Sequence, residues 1–180
     1  MNALNNFEIN ILNQIQLFRN PYLDTFFSKI TIFGDLAILW IVIAIIFYNT
    51  KEFKFTAKTM FVTMIWSTLI CNLILKNIFL RTRPFVVNQN INLISLPPFD
   101  TSFPSGHTFF SFASVTCIFM CTKSKFLKIF TLVFAILISF SRIYLYFHYP
   151  SDVIFGALIG IIVAYVNVKY MIKREKNLKN

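Results

Sequence analysis

Long apolar segments separated by short polar and basic stretches dominate the hydrophobic pattern of this chain. Five of them approach the length of about 20 residues that a helix needs to cross a bilayer. The first is long enough only if its more polar beginning belongs to the helix, and the third lies near the lower limit. The pattern predicts transmembrane helices over residues 26–48, 55–80, 105–121, 126–146 and 151–171.

A shorter and more polar segment precedes these spans. Apolar residues recur there at spacings of three and four, and Glu8 with several Asn and Gln residues takes the other face, which is typical of an amphipathic helix over residues 4–18. The segment is too polar to span a bilayer, so we expect residues 1–20 to form an interfacial helix. Its apolar stripe comprises Leu4, Phe7, Ile11, Ile15 and Phe18.

The composition supports an integral membrane protein. Hydrophobic residues make up 57% of the 180 residues and charged residues 13%, compared with roughly 45–50% and 25% in soluble domains. So few charges cannot cover a water-exposed surface, but lipid can replace water around a helical bundle. We therefore predict one all-α domain over residues 1–180, with a transmembrane bundle at 24–172 and a basic cytoplasmic tail at 173–180.

The formal net charge of +10 would suggest nucleic acid in a soluble protein. Here the basic residues fall mainly in short connections, so they indicate membrane orientation, and we predict no nucleic-acid partner. The stretches 51–58, 123–128 and 173–179 are rich in Lys and Arg and belong to alternate connections of a five-span chain. They are expected in the cytoplasm with the C-terminus, which places the 81–104 and 143–150 connections outside.

The cysteines give no sign of a metal site. All three, Cys71, Cys117 and Cys121, lie in apolar runs, and no His or Cys completes a set of zinc ligands around the last two. We interpret them as packing residues and predict neither a metal nor a cofactor.

Two groups of polar residues interrupt the apolar pattern near the middle of the chain. Lys76 and Arg83 are seven residues apart, which predicts that they share a face of the second helix, ended by Pro84. They could instead be cations that snorkel to the membrane edge. The second group, Pro104-Ser105-Gly106-His107, is expected to begin the third span, where a helix N-terminus can bind phosphate. The alternative is a helix cap with an incidental histidine.

A third group follows the fourth span and contains Arg142, His148, Pro150 and Asp152. Pro150 suits the first position of the fifth helix, so Asp152 is expected in its first turn. There it could hold one nitrogen of His148, as a nucleophilic histidine requires, or act only as a partner of the helix dipole.

Together the three groups resemble the signatures of the type 2 phosphatidic acid phosphatase family. The chain has only two histidines, and both belong to these groups. All three motifs are present in full and in order over residues 76–152, and the short single-domain form looks most like bacterial undecaprenyl-diphosphate phosphatases. The matching residues are Lys76, Arg83, Pro84, Pro104, Ser105, Gly106, His107, Ser141, Arg142, His148 and Asp152.

The resemblance implies a metal-independent hydrolase of membrane lipid phosphates. His148 would attack phosphorus and form a phosphohistidine, Asp152 would orient it, and His107 would protonate the leaving oxygen. The phosphate oxygens would be held by Lys76, Arg83, Ser105, Gly106 and Arg142.

The predicted orientation of the chain in the membrane favours one substrate among several. An outward-facing site in a bacterial plasma membrane can reach undecaprenyl diphosphate left outside after glycan transfer, so we expect recycling of that carrier for cell-wall synthesis. Phosphatidylglycerophosphate or phosphatidate hydrolysis, phosphotransfer to a hydroxyl, and non-catalytic binding or transport of lipid phosphates stay open as alternatives. The motifs assign no role to Arg81 and predict no oligomeric state.

Overall fold

The computed structural model describes residues 3–178, and this part of the chain contains helices and connecting segments but no strand. The all-helical prediction is therefore confirmed for these residues, while Lys179 of the predicted tail lies outside them. In chain order the helices are α1 (Ala3–Gln16), α2 (Pro21–Ile32), α3 (Ile38–Tyr48), α4 (Lys54–Ser67), α5 (Lys76–Phe79), α6 (Pro84–Val87), α7 (Gly106–Cys121), α8 (Lys125–Tyr144) and α9 (Pro150–Asn177).

Several of these helices are long and apolar enough to cross a membrane. Three stretches satisfy both conditions, namely Lys54–Val87, Lys125–Tyr144 and Pro150–Asn177. Helices α2 and α3 do so only as a pair, which is bent by 52° and forms either a broken span or a re-entrant loop. Helix α7 is apolar but has 16 residues. Residues 3–178 thus contain three candidate spans, or four with the bent pair, and a count of five stays a prediction.

Helix α7 lies at the centre of the bundle and packs against α4, α8 and α9. Its closest approach is to α9, at Gly156 and Gly160. A Cβ added to Gly156 would lie 2.9 Å from the carbonyl oxygen of Ser105, and one added to Gly160 would collide with that of Phe109. Small residues one turn apart let two helix backbones come this close. The N-terminal ends of α7 and α9, which carry two of the motifs, are therefore adjacent.

The second predicted span has an irregular end. Helix α4 continues through a π-helical segment, Thr68–Leu75, into α5, and the helix stops at Phe79 because Leu80 adopts a left-handed conformation with φ 42°. Arg83 is extended, and Pro84 begins α6 instead of ending a helix. The prediction that Lys76 and Arg83 share a helix face is wrong, since the turn at Leu80 separates them.

Helix α1 packs against the rest of the bundle through a side that differs from its predicted apolar stripe. Its buried residues are Glu8, Ile9 and Leu12, whereas Phe7 and Phe18 of the apolar stripe are exposed. The side chain of Leu4 lies outside the described part of the chain. The side of α1 that carries Glu8, Ile9 and Leu12 therefore contacts the bundle, near the C-terminal end of α8 and the segment between α8 and α9.

Helix α9 begins at Pro150, as its sequence predicts, and places Asp152 in its first turn. It continues to Asn177, so residues 173–177 of the predicted tail extend the last helix. The fourth span is observed as Lys125–Tyr144, close to its predicted bounds.

Candidate active site

The predicted site residues gather at one end of the bundle. The C-terminal end of α8, the segment before α9 and the N-terminal ends of α7 and α9 meet there, next to α5 and the extended chain that follows it. The residues brought together are Lys76, Arg83, Ser105, Gly106, His107, Arg142, His148 and Asp152.

The partners of His148 define its tautomer. Its Nδ1 lies 2.7 Å from the carbonyl oxygen of Ser102, which can only accept, so Nδ1 carries the proton. Its Nε2 lies 3.1 Å from Nη1 of Arg83, and a guanidinium can only donate. The Nε2 lone pair therefore accepts from Arg83 at the site, and a phosphorus atom that bonded to Nε2 would take the place of that donor.

His148 is also held in its neutral form. The side chain is only 2% exposed. Burial lowers the pKa of the imidazole well below its usual range, and the nearby charges of Arg83, Arg142 and Lys76 lower it further. A neutral imidazole is the nucleophilic form, so this environment suits the role of nucleophile that the sequence predicts for His148.

Asp152 orients His148 through an intermediary. Its Oδ2 lies 3.7 Å from Nδ1 of His148, too far for a hydrogen bond. The same oxygen accepts from the hydroxyl of Ser102 at 2.5 Å and from the backbone N–H of Tyr149 at 3.0 Å. The carboxylate thus fixes Ser102, whose carbonyl holds the ring of His148, and it caps α9 as well. The direct bond from Asp152 to a nitrogen of His148 that the sequence suggested is therefore not observed, whereas Asp152 does lie in the first turn of α9 and caps it.

Lys76 and Arg83 converge on a carboxylate that the motifs do not include. Nζ of Lys76 and Nη2 of Arg83 both donate to Asp100, and Nε of Arg83 donates to the backbone oxygen of Asp100 at 2.7 Å. Burial raises the pKa of the Asp100 carboxyl, but hydrogen bonding and the charges of Lys76 and Arg83 outweigh it and hold the pKa at about 2. The two cations therefore form an anion site, where Asp100 is the anion present.

Arg142 offers a buried donor to the same end of the bundle. Its Nη1 donates to the hydroxyl of Thr31 at 2.5 Å, and its guanidinium carbon lies 4.7 Å from the ring centre of Phe147. Its Nε is buried and has no hydrogen-bond partner among residues 3–178. Buried charged donors are rarely left unpaired, because desolvation costs energy that only a partner offsets. An anionic ligand would supply that partner.

The start of α7 adds neutral groups to the anion site. Ser105 is the residue before the helix, and its hydroxyl accepts from Thr108 at 3.0 Å, which leaves its own proton for another acceptor. A Cβ added to Gly106 would lie 3.9 Å from Nζ of Lys76. The Lys76 ammonium group therefore lies close to the first residue of the helix, the end that favours anions.

His107 contacts a carboxylate from the bend between α2 and α3. Its Nε2 lies 2.8 Å from Oδ1 of Asp35. The ring also packs against Gly34 so closely that an added Cβ there would collide with it. The bend therefore provides both the space and the charge that position His107.

A cavity of about 590 Å³ joins this site to the apolar surface of the bundle. Its polar end contains Lys76, Asp100, Gly106 and His107. Its other end runs between α3 and α4 and is lined by apolar side chains. These include Leu36, Ile41, Phe61, Met64, Ile65 and Phe110.

The described part of the chain holds no group of three or more His, Cys, Asp or Glu side chains that could bind a metal ion. Lys76, Arg83 and Arg142 are positive charges that the site itself provides.

The PAP2 superfamily profile matches residues 56–176, a range that includes all three motifs. The chain belongs to the PAP2 superfamily. The family prediction is confirmed, and the chain is a membrane protein with several apolar helices.

Two relatives of this chain are named as undecaprenyl-diphosphatases. The chain is 32% identical to an undecaprenyl-diphosphatase of Sulfolobus acidocaldarius over 126 residues, which cover 69% of this chain but only 58% of that relative. It is 29% identical to the undecaprenyl-diphosphatase BcrC of Bacillus subtilis over 153 residues, or 84% of this chain and 76% of BcrC.

A solved PAP2 structure shares the fold over most of its length. The PAP2 type phosphatidylglycerolphosphate phosphatase from Bacillus subtilis superposes with a TM-score of 0.79 and covers 96% of this chain and 88% of its own. At 22% identity this likeness shows the fold alone. Aquifex aeolicus LpxE, at 28% identity, has a TM-score of 0.69 over 89% of this chain and 94% of its own.

Four acidic or basic residues outside the PAP2 motifs contact the site or its immediate partners, namely Glu8, Asp35, Arg81 and Asp100. A usable signal existed for Asp35, because an acidic residue inside a predicted span marks a functional position. Glu8 carried no such signal, since a charged residue on the polar face of an amphipathic helix is ordinarily solvated.

Proposed function

We propose that this PAP2 protein hydrolyses a phosphate from a membrane lipid phosphate or diphosphate through a phosphohistidine intermediate. The observation that carries the proposal is the Nε2 lone pair of His148, which faces Arg83 in an anion site. The cavity that opens from that site continues into an apolar groove, which suits a substrate with a charged head and a hydrocarbon tail.

The reaction begins with substrate phosphate at the anion site. Its oxygens are held by Lys76, Arg83 and Arg142, together with the Ser105 hydroxyl and the Gly106 N–H, and charge that develops during transfer is stabilised there. The substrate takes the place of the Asp100 carboxylate on the two motif cations.

In the first step Nε2 of His148 forms a bond to phosphorus while the bond from phosphorus to the leaving oxygen breaks. His107 donates a proton to that oxygen. Asp152, acting through Ser102, keeps the ring in position and stabilises the positive charge that the imidazole gains. In the second step His107 takes a proton from water, the resulting hydroxide attacks phosphorus, and inorganic phosphate leaves His148 neutral.

Undecaprenyl diphosphate is the substrate we favour, with undecaprenyl phosphate as the product. Two relatives named as undecaprenyl-diphosphatases support the choice. Charge also supports it, because Lys51, Lys54 and Lys58 of one basic connection line a common surface with Arg174 of the C-terminal region. A shared cytoplasmic face for these residues leaves the site facing outward.

Phosphate release from purified protein in detergent tests the proposal. The panel contains undecaprenyl diphosphate, phosphatidylglycerophosphate, phosphatidate and a lipid A phosphate, and His148→Ala is the control. We expect release to be fastest from undecaprenyl diphosphate and absent in the control. Faster release from a glycerophospholipid would make that lipid the assigned substrate in place of undecaprenyl diphosphate. Tight binding without release from any member of the panel would indicate a non-catalytic binding protein.

Sidedness is tested by labelling single cysteines in a background without Cys71, Cys117 and Cys121. A cysteine at position 90 should react with an impermeant thiol reagent on intact cells, because Asn90 lies in the connection expected outside. One at position 125 should be protected, because Lys125 belongs to a basic connection. The reverse pattern would place the site in the cytoplasm and remove the argument for an external carrier lipid.

A further inference from the structure

Arg81 bonds to several groups around the site although it belongs to none of the three motifs. Its Nη1 donates to Oδ1 of Asp152 at 2.5 Å and to the hydroxyl of Ser151 at 2.7 Å. Its Nη2 donates to Oε2 of Glu8 at 2.6 Å and to Asn5 at 2.7 Å. One guanidinium therefore joins the first turn of α9 to α1, the helix at the other end of the sequence.

Glu8 completes this connection from the N-terminal helix. Its carboxylate is buried, and its two oxygens accept from the backbone N–H of Ser151 at 2.7 Å and from the Ser151 hydroxyl at 3.0 Å, in addition to Arg81. A buried carboxylate is costly unless it is paired and hydrogen-bonded. The burial of Glu8 on what the sequence shows as the polar side of α1 is explained by these bonds.

The connection reaches from Arg81 to the nucleophile through three hydrogen bonds. Arg81 binds Oδ1 of Asp152, which leaves Oδ2 directed at the Ser102 hydroxyl at 2.5 Å. The Ser102 carbonyl then holds Nδ1 of His148 at 2.7 Å. The backbone N–H of Tyr149 also donates to Oδ2. Since a carboxylate can rotate about the bond that joins it to the side chain, the partner of Oδ1 contributes to the direction of Oδ2 as well.

We infer that Arg81, held by Glu8, is a positioning residue for the reaction, and that α1 is part of the catalytic apparatus. The inference rests on the proposed roles of His148 and Asp152. It requires an arginine in particular, because a planar guanidinium can bridge two carboxylates from different helices, whereas a lysine presents a single point charge. The 3.9 Å distance from the guanidinium carbon to the ring centre of Tyr149 fixes that plane further.

The test compares Arg81→Ala, Arg81→Lys and Glu8→Gln with Arg19→Ala in the purified full-length protein. Arg19 is a matched control, because it also pairs with a carboxylate, Asp24 at 3.1 Å, but makes no contact with the site residues among the bonds described for residues 3–178. The readouts are kcat and KM for undecaprenyl diphosphate, thermal stability in detergent, and rescue by added guanidinium ion.

We expect Arg81→Ala to lower kcat about 100-fold with KM nearly unchanged, because the phosphate contacts remain while the orientation of His148 is lost. Arg81→Lys should recover part of that loss. Glu8→Gln should lower kcat about tenfold, and Arg19→Ala should change it less than about twofold. Guanidinium ion should raise kcat of Arg81→Ala in a saturable way and leave Arg19→Ala unaffected.

A stably folded Arg81→Ala with kcat within about threefold of wild type would overturn the inference. Should that variant fail to fold, normal kcat in both Arg81→Lys and Glu8→Gln would overturn it instead. Wild-type turnover that His148→Ala abolishes would leave the proposed function intact in either case. A wild-type protein inactive on every phosphorylated lipid would remove both proposals together.

Discussion

The two histidines occupy contrasting regions of the same site. His148 is buried, and fixed groups engage both of its ring nitrogens, a backbone carbonyl on one side and Arg83 on the other. His107 lines the cavity, and its Nε2 meets a carboxylate, Asp35, whose side chain is 51% exposed. A nucleophile benefits from one fixed orientation, because its lone pair must align with phosphorus. A proton donor instead needs access to the leaving group, which the proposed reaction places in the cavity that His107 lines.

The largest expected effect on kcat is that of substituting His148, the buried histidine. His148→Ala should reduce kcat at least about 10⁴-fold, because loss of a nucleophile removes the covalent route altogether. The measurement is single-turnover phosphate release from purified protein whose melting temperature matches that of wild type. A folded variant that retained activity within about tenfold of wild type would show that another group attacks phosphorus.

Substitution of His107, the histidine that lines the cavity, should slow phosphate release less, and by an amount that depends on the substrate. We expect His107→Ala to slow release from a lipid phosphate about 100- to 1,000-fold, and release from an aryl phosphate less than about tenfold, since a good leaving group departs without a proton. Phosphoenzyme trapped by rapid quenching should form in this variant with the aryl substrate. Equal losses on the two substrates would contradict the role of His107 as general acid.

Asp35→Asn tests the carboxylate that contacts His107. The amide keeps the shape of the carboxylate but removes the charge 2.8 Å from Nε2 of His107. A loss of about tenfold on the lipid phosphate is expected, with little loss on the aryl phosphate. Asp24→Asn is a suitable control, because Asp24 lies on the same α2–α3 segment and binds Arg19 and Tyr144 instead. A uniform loss on both substrates would assign Asp35 a structural role.

The protonation state of His148 should differ from that of a free imidazole in mildly acidic solution. With two histidines in the chain, His107→Ala leaves His148 as the single imidazole, so its ring signals need no further assignment. Because burial and neighbouring cations lower its pKa, the ring should stay neutral with the proton on Nδ1 as pH falls through about 6.5, where a free imidazole would become protonated. Nitrogen NMR shifts between neutral and mildly acidic pH measure this. A midpoint at or above the free value would contradict the environment described for His148.

The smallest expected effect is that of a chelator. Lys76, Arg83 and Arg142 supply the positive charge that metal ions provide in other phosphoryl-transfer sites, so excess EDTA should change kcat less than about twofold. Phosphate release is measured on monodisperse detergent-solubilised substrate, which avoids effects of divalent ions on lipid aggregation. Loss of activity that Mg²⁺ or Zn²⁺ restores would show that the cations of the site are insufficient.

Local signals in the sequence account for the features that were predicted correctly. Pro150 fixes the start of α9, and Pro104 to His107 mark the start of α7, because proline geometry and helix-initiating residues act over a few positions. Long-range features had no comparable signal. The left-handed turn at Leu80 separates Lys76 from Arg83 and contradicts the helical spacing that the sequence shows.

The sequence also could not reveal which atoms act as intermediaries. Asp152 and His148 are four residues apart, which favoured a direct bond, yet Ser102 lies between them in the structure. Asp35 meets His107 across 72 residues of chain. Such pairs depend on how helices pack, and hydrophobic periodicity carries no information about individual polar partners in different helices.

The bonds of Glu8 have a consequence for biogenesis. Glu8 and Ser151 are 143 residues apart in the chain, so α1 leaves the ribosome well before the segment that carries Ser151 has been made. Until the segment around Ser151 enters the membrane, Glu8 lacks this partner, and we expect α1 to stay at the membrane surface with the Glu8 side chain in water. Docking of α1 is therefore a late step of assembly. Newly synthesised protein should acquire activity only after that step, with a delay that follows insertion of its earlier spans.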